Sequence, residues 1–147
     1  MNLQQYQKSL EEIFQSNNVV LAYLFGSYAT KKANTLSDID IAVLCAEKVD
    51  TMLYTEIQIE LITTCIKLFK KNEVDVVVLN AAAPLLAFQV VKNGAVLYDP
   101  QGRHLNFRIK TLNTYYDTEY LRNVQTYYLK QWIKQQKSKW KEPAGKW

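Results

Sequence analysis

Two seven-residue apolar runs, VVLAYLF at 19–25 and IDIAVLC at 39–45, constrain this chain more than any other feature. Each has the length of a strand and lacks the spacing of an amphipathic helix, so both read as buried strands. A third run, VDVVVLN at 74–80, is the most β-branched, and AVLYD at 95–99 is a short fourth. Segments with helical spacing separate or flank these runs, and that order describes an α/β domain.

The first helix is expected over 3–14, with Leu3, Tyr6, Leu10, Ile13 and Phe14 on one face and Asn17-Asn18 ending it. A longer helix over 51–70 would present Met52, Ile59, Ile62, Ile66 and Phe69. Pro84 suits the start of a short helix, PLLAFQVVKN, and Gly94 suits its C-terminal cap. Beyond Asp99-Pro100 no strand run remains. Leu105, Ile109, Leu112 and Tyr116 mark one helix. A second covers Glu119 to about Gln136, with Leu121, Val124, Tyr128, Trp132 and Gln135 on a stripe. The expected division is a domain over 1–100, a helical arm over 101–137 that packs on it or on a partner, and a disordered tail over 138–147.

The length of 147 residues suits one domain, and 48% hydrophobic residues suffice for a core. Charge divides unevenly. Residues 1–100 carry 8 Lys/Arg against 11 Asp/Glu, whereas residues 101–147 carry 10 against 3. The basic C-terminal third suits an acidic partner or simple solvation. Cys45 and Cys65 have neither metal-site nor disulfide spacing and read as reduced core thiols of a cytoplasmic protein. The N-terminus lacks a signal-peptide layout, and no apolar stretch would span a membrane.

The chemistry concentrates between the first two strands. Gly26-Ser27 follows a strand, where a turn permits close backbone approach and its amides and hydroxyl can cradle phosphate oxygens. Asp38 and Asp40 flank Ile39, so on a strand both carboxylates aim at one face. Two like charges at that spacing conflict unless a divalent cation joins them, and carboxylate oxygens suit Mg²⁺. Asp75 interrupts the third run near its start and would join the site if that strand lies beside the second. His104, the single histidine, lies outside this motif. Tyr115, Tyr116, Tyr120, Tyr127 and Tyr128 cluster in the arm and suit helix packing or a partner surface better than nucleic-acid stacking.

Gly26-Ser27, ten intervening residues, then Asp38-Ile39-Asp40-Ile41 resembles the nucleotidyltransferase signature of the polymerase-β-like superfamily. The likeness is to its small stand-alone MNT domains, over roughly residues 18–99 with a similar two-helix tail. It implies a small mixed sheet flanked by helices. It also implies that Gly26 and Ser27 grip the triphosphate of ATP, that Asp38 and Asp40 hold two Mg²⁺ ions, and that Asp75 is the third carboxylate. Many such sequences continue with an aromatic residue, Ala, Arg and Gly. This one reads Tyr28-Ala29-Thr30-Lys31-Lys32, which leaves charge neutralisation to Lys31 or Lys32.

The family further implies an antitoxin that transfers AMP from ATP to a tyrosine hydroxyl of a HEPN-domain RNase toxin encoded beside it. The expected partners are that toxin and ATP, with no membrane and no direct nucleic acid. One alternative is an antitoxin that acts by binding and occlusion. Another is a transferase for a small molecule such as an aminoglycoside, which the basic C-terminal third disfavours.

Overall fold

A computed structural model describes residues 3–30 and 37–141, with the side chains of 140 and 141 left aside. Its sheet has four strands in the order β3-β2-β1-β4. They are β1 (Val19–Phe25), β2 (Ile39–Cys45), β3 (Val74–Val78) and β4 (Ala95–Tyr98). β1 runs antiparallel to both β2 and β4, while β2 and β3 are parallel. The expected mixed sheet is present. A parallel pair needs a crossover, and the helix α3 (Tyr54–Phe69) supplies it.

The remaining helices are α1 (Gln7–Ser16), the single turn α2 (Gly26–Ala29), α4 (Pro84–Asn93), α5 (His104–Asp117) and α6 (Glu119–Lys141). Strand alternation sends each run to two faces. On one face, Ala22, Leu24, Ile39, Ile41, Val43, Val74, Val76 and Val78 meet Leu10 and Phe14 of α1 and Leu61, Cys65 and Phe69 of α3. On the other, Leu21, Tyr23 and Ala42 meet Ala87, Val90 and Val91 of α4, with Phe107 of α5 beside them. Both cysteines are buried free thiols, and burial pushes the Cys65 thiol up to about 11.

Several expectations need correction. Met52 and Ile59 are exposed, and the buried stripe of α3 is Leu61, Cys65 and Phe69. The third strand stops at Val78, and a 3₁₀ turn takes Leu79–Ala81. There the Asn80 side chain accepts from the Cys45 amide (2.8 Å) and donates to the Cys45 carbonyl (3.0 Å), finishing β2 as a strand neighbour would. Gly94 does cap α4, but not through a left-handed backbone, because its φ is −77°. Glycine is needed for space: a Cβ would lie 2.5 Å from the Val90 carbonyl oxygen and 3.2 Å from that of Leu24.

The two C-terminal helices differ from each other. α5 packs through a face the apolar pattern did not mark: Thr111 is buried, Tyr115 stacks on Phe88 at 3.9 Å, and His104 Nδ1 shares a 2.9 Å hydrogen bond with the Tyr23 hydroxyl. The marked residues Leu105, Ile109 and Tyr116 face solvent. α6 exposes Tyr120, Leu121, Tyr127, Tyr128, Leu129 and Trp132, and runs to Lys141 rather than Gln136. Residues 138–141 of the expected tail are therefore helical, and 142–147 lie outside the described residues. No helix among the described residues is long and apolar enough to cross a membrane.

Candidate active site

β1 leaves the core at Phe25 in an extended conformation, and the chain turns at Gly26 with φ +69°. This left-handed value favours glycine, since a Cβ there crowds the following carbonyl. A second constraint is sharper. A Cβ on Gly26 would lie 2.1 Å from Oδ2 of Asp40, so the missing side chain is what lets that carboxylate lie against the turn. The turn then closes on itself. The Thr30 amide donates to the Gly26 carbonyl at 3.3 Å, and its hydroxyl reaches the Gly26 and Ser27 carbonyls. Ser27 stands half-buried at the start of this turn.

Asp38 immediately precedes β2 and is exposed; Asp40 is the second residue of the strand and half-buried. Register completes the arrangement. Asp40 pairs with Phe25 of β1 on one side and with Asp75 of β3 on the other. Asp40 and Asp75 stand on the sheet face that α4 and α5 cover farther along, and Asp38 lies just ahead of the strand rather than on it. Burial raises the Asp40 carboxyl above the ordinary carboxylate value, and the nearby Asp75 and Asp38 charges raise it further.

The three carboxylates do not converge on one point. Asp75 Oδ1 accepts a hydrogen bond from the Val76 amide at 2.9 Å. Among the described residues, no group of three or more acidic, His or Cys side chains is gathered as metal ligands are. The donor chemistry nevertheless fits a hard divalent cation: three oxygen-bearing acids neighbour one another, and the central one is raised by burial and then by neighbouring negative charge that a cation would offset. Lys31 and Lys32 lie outside the described residues.

One site residue escaped the sequence reading. Lys71, in the turn between α3 and β3, donates from Nζ to the Tyr28 hydroxyl at 2.8 Å and to the Ser37 carbonyl, and sits 5.0 Å over the Tyr28 ring. Nothing in the polar stretch KKNE distinguishes it from a solvated lysine. Two clefts, of about 850 and 770 Å³, open elsewhere, around Leu44 and Asn80 and around Val19 and Tyr98. They lie toward the other end of β1 and β2, and their charged linings are of mixed sign, Glu11 and Asp99 with Lys48 and Arg103 in one and Glu47 with Arg103 and Lys110 in the other, unlike the set of carboxylates beside Gly26.

The family model described as polymerase beta, nucleotidyltransferase, matches residues 8–103, from α1 to the residue before α5. A Shewanella oneidensis protein named protein adenylyltransferase MntA is 37% identical over 95 residues. That stretch is 65% of this chain and 65% of the relative, so just under two thirds of the curated relative's length is spanned. Among solved structures, a toxin-antitoxin with AMP-PNP aligns at a TM-score of 0.69 with 29% identity, over 84% of this chain and 97% of that chain. A tri-AMPylated Shewanella oneidensis HEPN toxin in complex with an MNT antitoxin aligns at 0.67 with 28% identity, over 87% and 98%.

Proposed function

The chain belongs to the polymerase beta nucleotidyltransferase family, and from that premise we propose that it is an antitoxin that transfers AMP from ATP to a tyrosine hydroxyl of a cognate HEPN-domain toxin. The observation that carries this reading is the packing of Asp40 against the Gly26 turn with Asp75 in register beside it. That proximity supports reading the Gly26 turn as the phosphate-binding element beside the carboxylates. The likeness to MntA and to the structure with AMP-PNP supports ATP as the nucleotide, and the AMPylated toxin complex supports the partner.

In this reading the Ser27 hydroxyl and the amides of the α2 turn bind phosphate oxygens of ATP. Asp38, Asp40 and Asp75 would hold two Mg²⁺ ions, whose charge would neutralise the triphosphate and make the acceptor hydroxyl more acidic. In this reading the tyrosine oxygen forms its bond to the α-phosphorus as the bond to pyrophosphate breaks, and Asp75 would help take the hydroxyl proton. Lys31 and Lys32 are assigned to the triphosphate charge in place of Arg-Gly.

The partner surface is assigned to the C-terminal third. The outer side of α5 and most of α6 present apolar and aromatic residues to solvent, interspersed with Lys130, Lys134 and Lys137. Aromatic anchors with a basic surround suit an acidic protein partner. Both thiols are free and buried, which agrees with a cytoplasmic location.

The test is incubation with labelled ATP, Mg²⁺ and the neighbouring gene product. Label is expected on a tyrosine of the partner and is expected to vanish in the Asp38→Asn, Asp40→Asn double variant. If that double variant neutralises the toxin fully, occlusion is the activity instead. Removing α6 alone, by truncation after Asp117, should weaken partner binding while nucleotide binding persists; removing α5 as well would delete His104 and Phe107 and uncover Tyr23 and Phe88.

A further inference from the structure

We propose that Lys71 is a positioning residue that holds the phosphate-binding turn and the carboxylate strand in fixed relation. Its own backbone is well anchored. Lys70 closes α3 in the left-handed conformation at φ +53°, and the Lys71 amide then donates back to the Ile66 carbonyl at 3.3 Å. That bond spans six residues and is the pattern that terminates helices firmly. The ammonium therefore projects from a fixed point.

What it reaches are the two segments that carry the site. One is Tyr28, on the same helical turn as Gly26 and Ser27, which it meets both by hydrogen bond and by its position over the ring. The other is the carbonyl of Ser37, the residue directly before Asp38. Tyr28 and Ser37 are separated by the eight residues 29–36 in sequence. β3 reinforces the second contact, because the Ile39 amide donates to the Glu73 carbonyl at 3.0 Å. A single ammonium with three donors can satisfy a hydroxyl and a carbonyl at once, and the partly buried setting strengthens both bonds relative to water.

Lys71 belongs to the layer of α1 and α3, since Tyr28 packs against that core, whereas Asp40 and Asp75 stand on the opposite sheet face. It therefore acts from behind the site, through Tyr28 and Ser37, and does not itself meet nucleotide. Its role is to keep Ser27 and Asp38 in register, which matters because displacement of about 1 Å costs transfer steps roughly 100-fold.

The kinetic arm of the test rests on the nucleotidyl-transfer reading; the resonance arm does not. In the nucleotide-free protein, Lys71→Met is expected to shift backbone amide resonances in both Gly26–Ala29 and Ser37–Asp40, with Lys71→Arg restoring them. Shifts confined to the α3–β3 turn overturn the proposal. In transfer assays, Lys71→Met is expected to lower kcat/KM for ATP by about 10- to 100-fold, with Lys71→Arg recovering most of it. Unchanged kcat/KM in an active parent also overturns it. If the parent transfers no AMP, the functional reading fails and the resonances alone decide the clamp.

Discussion

The two ends of one sheet face are built on opposite terms. Toward the C-terminal end of β2, Ala42 and Tyr23 lie under α4 and α5, and the strand's last backbone groups have partners. Asn80 satisfies both backbone groups of Cys45, and the Ala46 amide donates to the Asn18 carbonyl at 2.9 Å. Toward the N-terminal end the helical cover stops, and the Asp40 carboxyl has its proton affinity raised by burial and then by the Asp75 and Asp38 charges. One end minimises unpaired polarity, while the other keeps like charges together. Conflict of that kind persists where a ligand resolves it. The difference teaches that the same strands supply stability at one end and chemistry at the other.

The contrast breaks most easily at Gly26. In Gly26→Ala the new methyl meets Asp40 Oδ2, the movable end of a side chain, so the carboxylate rotates away. The left-handed backbone adds about 1–2 kcal/mol of strain. Transfer is expected to fall about 100-fold while the melting midpoint drops by only a few degrees. Rate assays beside thermal unfolding check this. Comparable losses in both would mean that Gly26 serves folding, and that the charged end is not specialised.

How much of this division could be read from the chain follows from how local each signal is. β1 and β2 were legible to the residue because an unbroken apolar run has few other uses. Asp40 was legible as a strand position, whereas Asp38, expected on the same strand, lies just ahead of β2, where alternation does not fix its face. The Asp40–Asp75 pairing was conditional on strand order, which no local pattern encodes. Asp40 as the occupant of the space beside Gly26, Asn80 as a strand substitute and Lys71 as a clamp are all contacts between distant segments. Their residue types are ordinary in polar turns. α5 misled for a different reason. It has two usable sides, and Phe88 and Tyr23, far off in sequence, select the one with Phe107, Thr111 and Tyr115. α6 outlasted its expected end because the polar residues from Gln135 to Lys139 do not break a helix.

A change at the apolar end should give the reverse outcome to Gly26→Ala. Asn80→Ala leaves the Cys45 amide and carbonyl without their partner beside a buried residue, which costs about 1–3 kcal/mol. Urea unfolding should register that loss, while kcat and KM measured well below the transition stay at parent values. A fall in kcat would show that the two ends are mechanically coupled through β2, and the comparison would need to become one of degree.

The smallest effect sharpens the account of the charged end itself. Asp40 binds its proton more tightly when folded than the 3.8 of an ordinary carboxyl. Between that value and its raised one, the native state therefore holds more protons than the unfolded state. Stability accordingly falls as pH rises through this window and levels off above it. Without divalent cation, Asp40→Asn should flatten that decline and leave the variant slightly more stable than the parent at neutral pH. Denaturant midpoints taken across the acid range read this directly. Adding Mg²⁺ should then raise the parent's midpoint more than the variant's, because only the parent has the full conflict for a cation to relieve. Equal gains would place the cation away from Asp40.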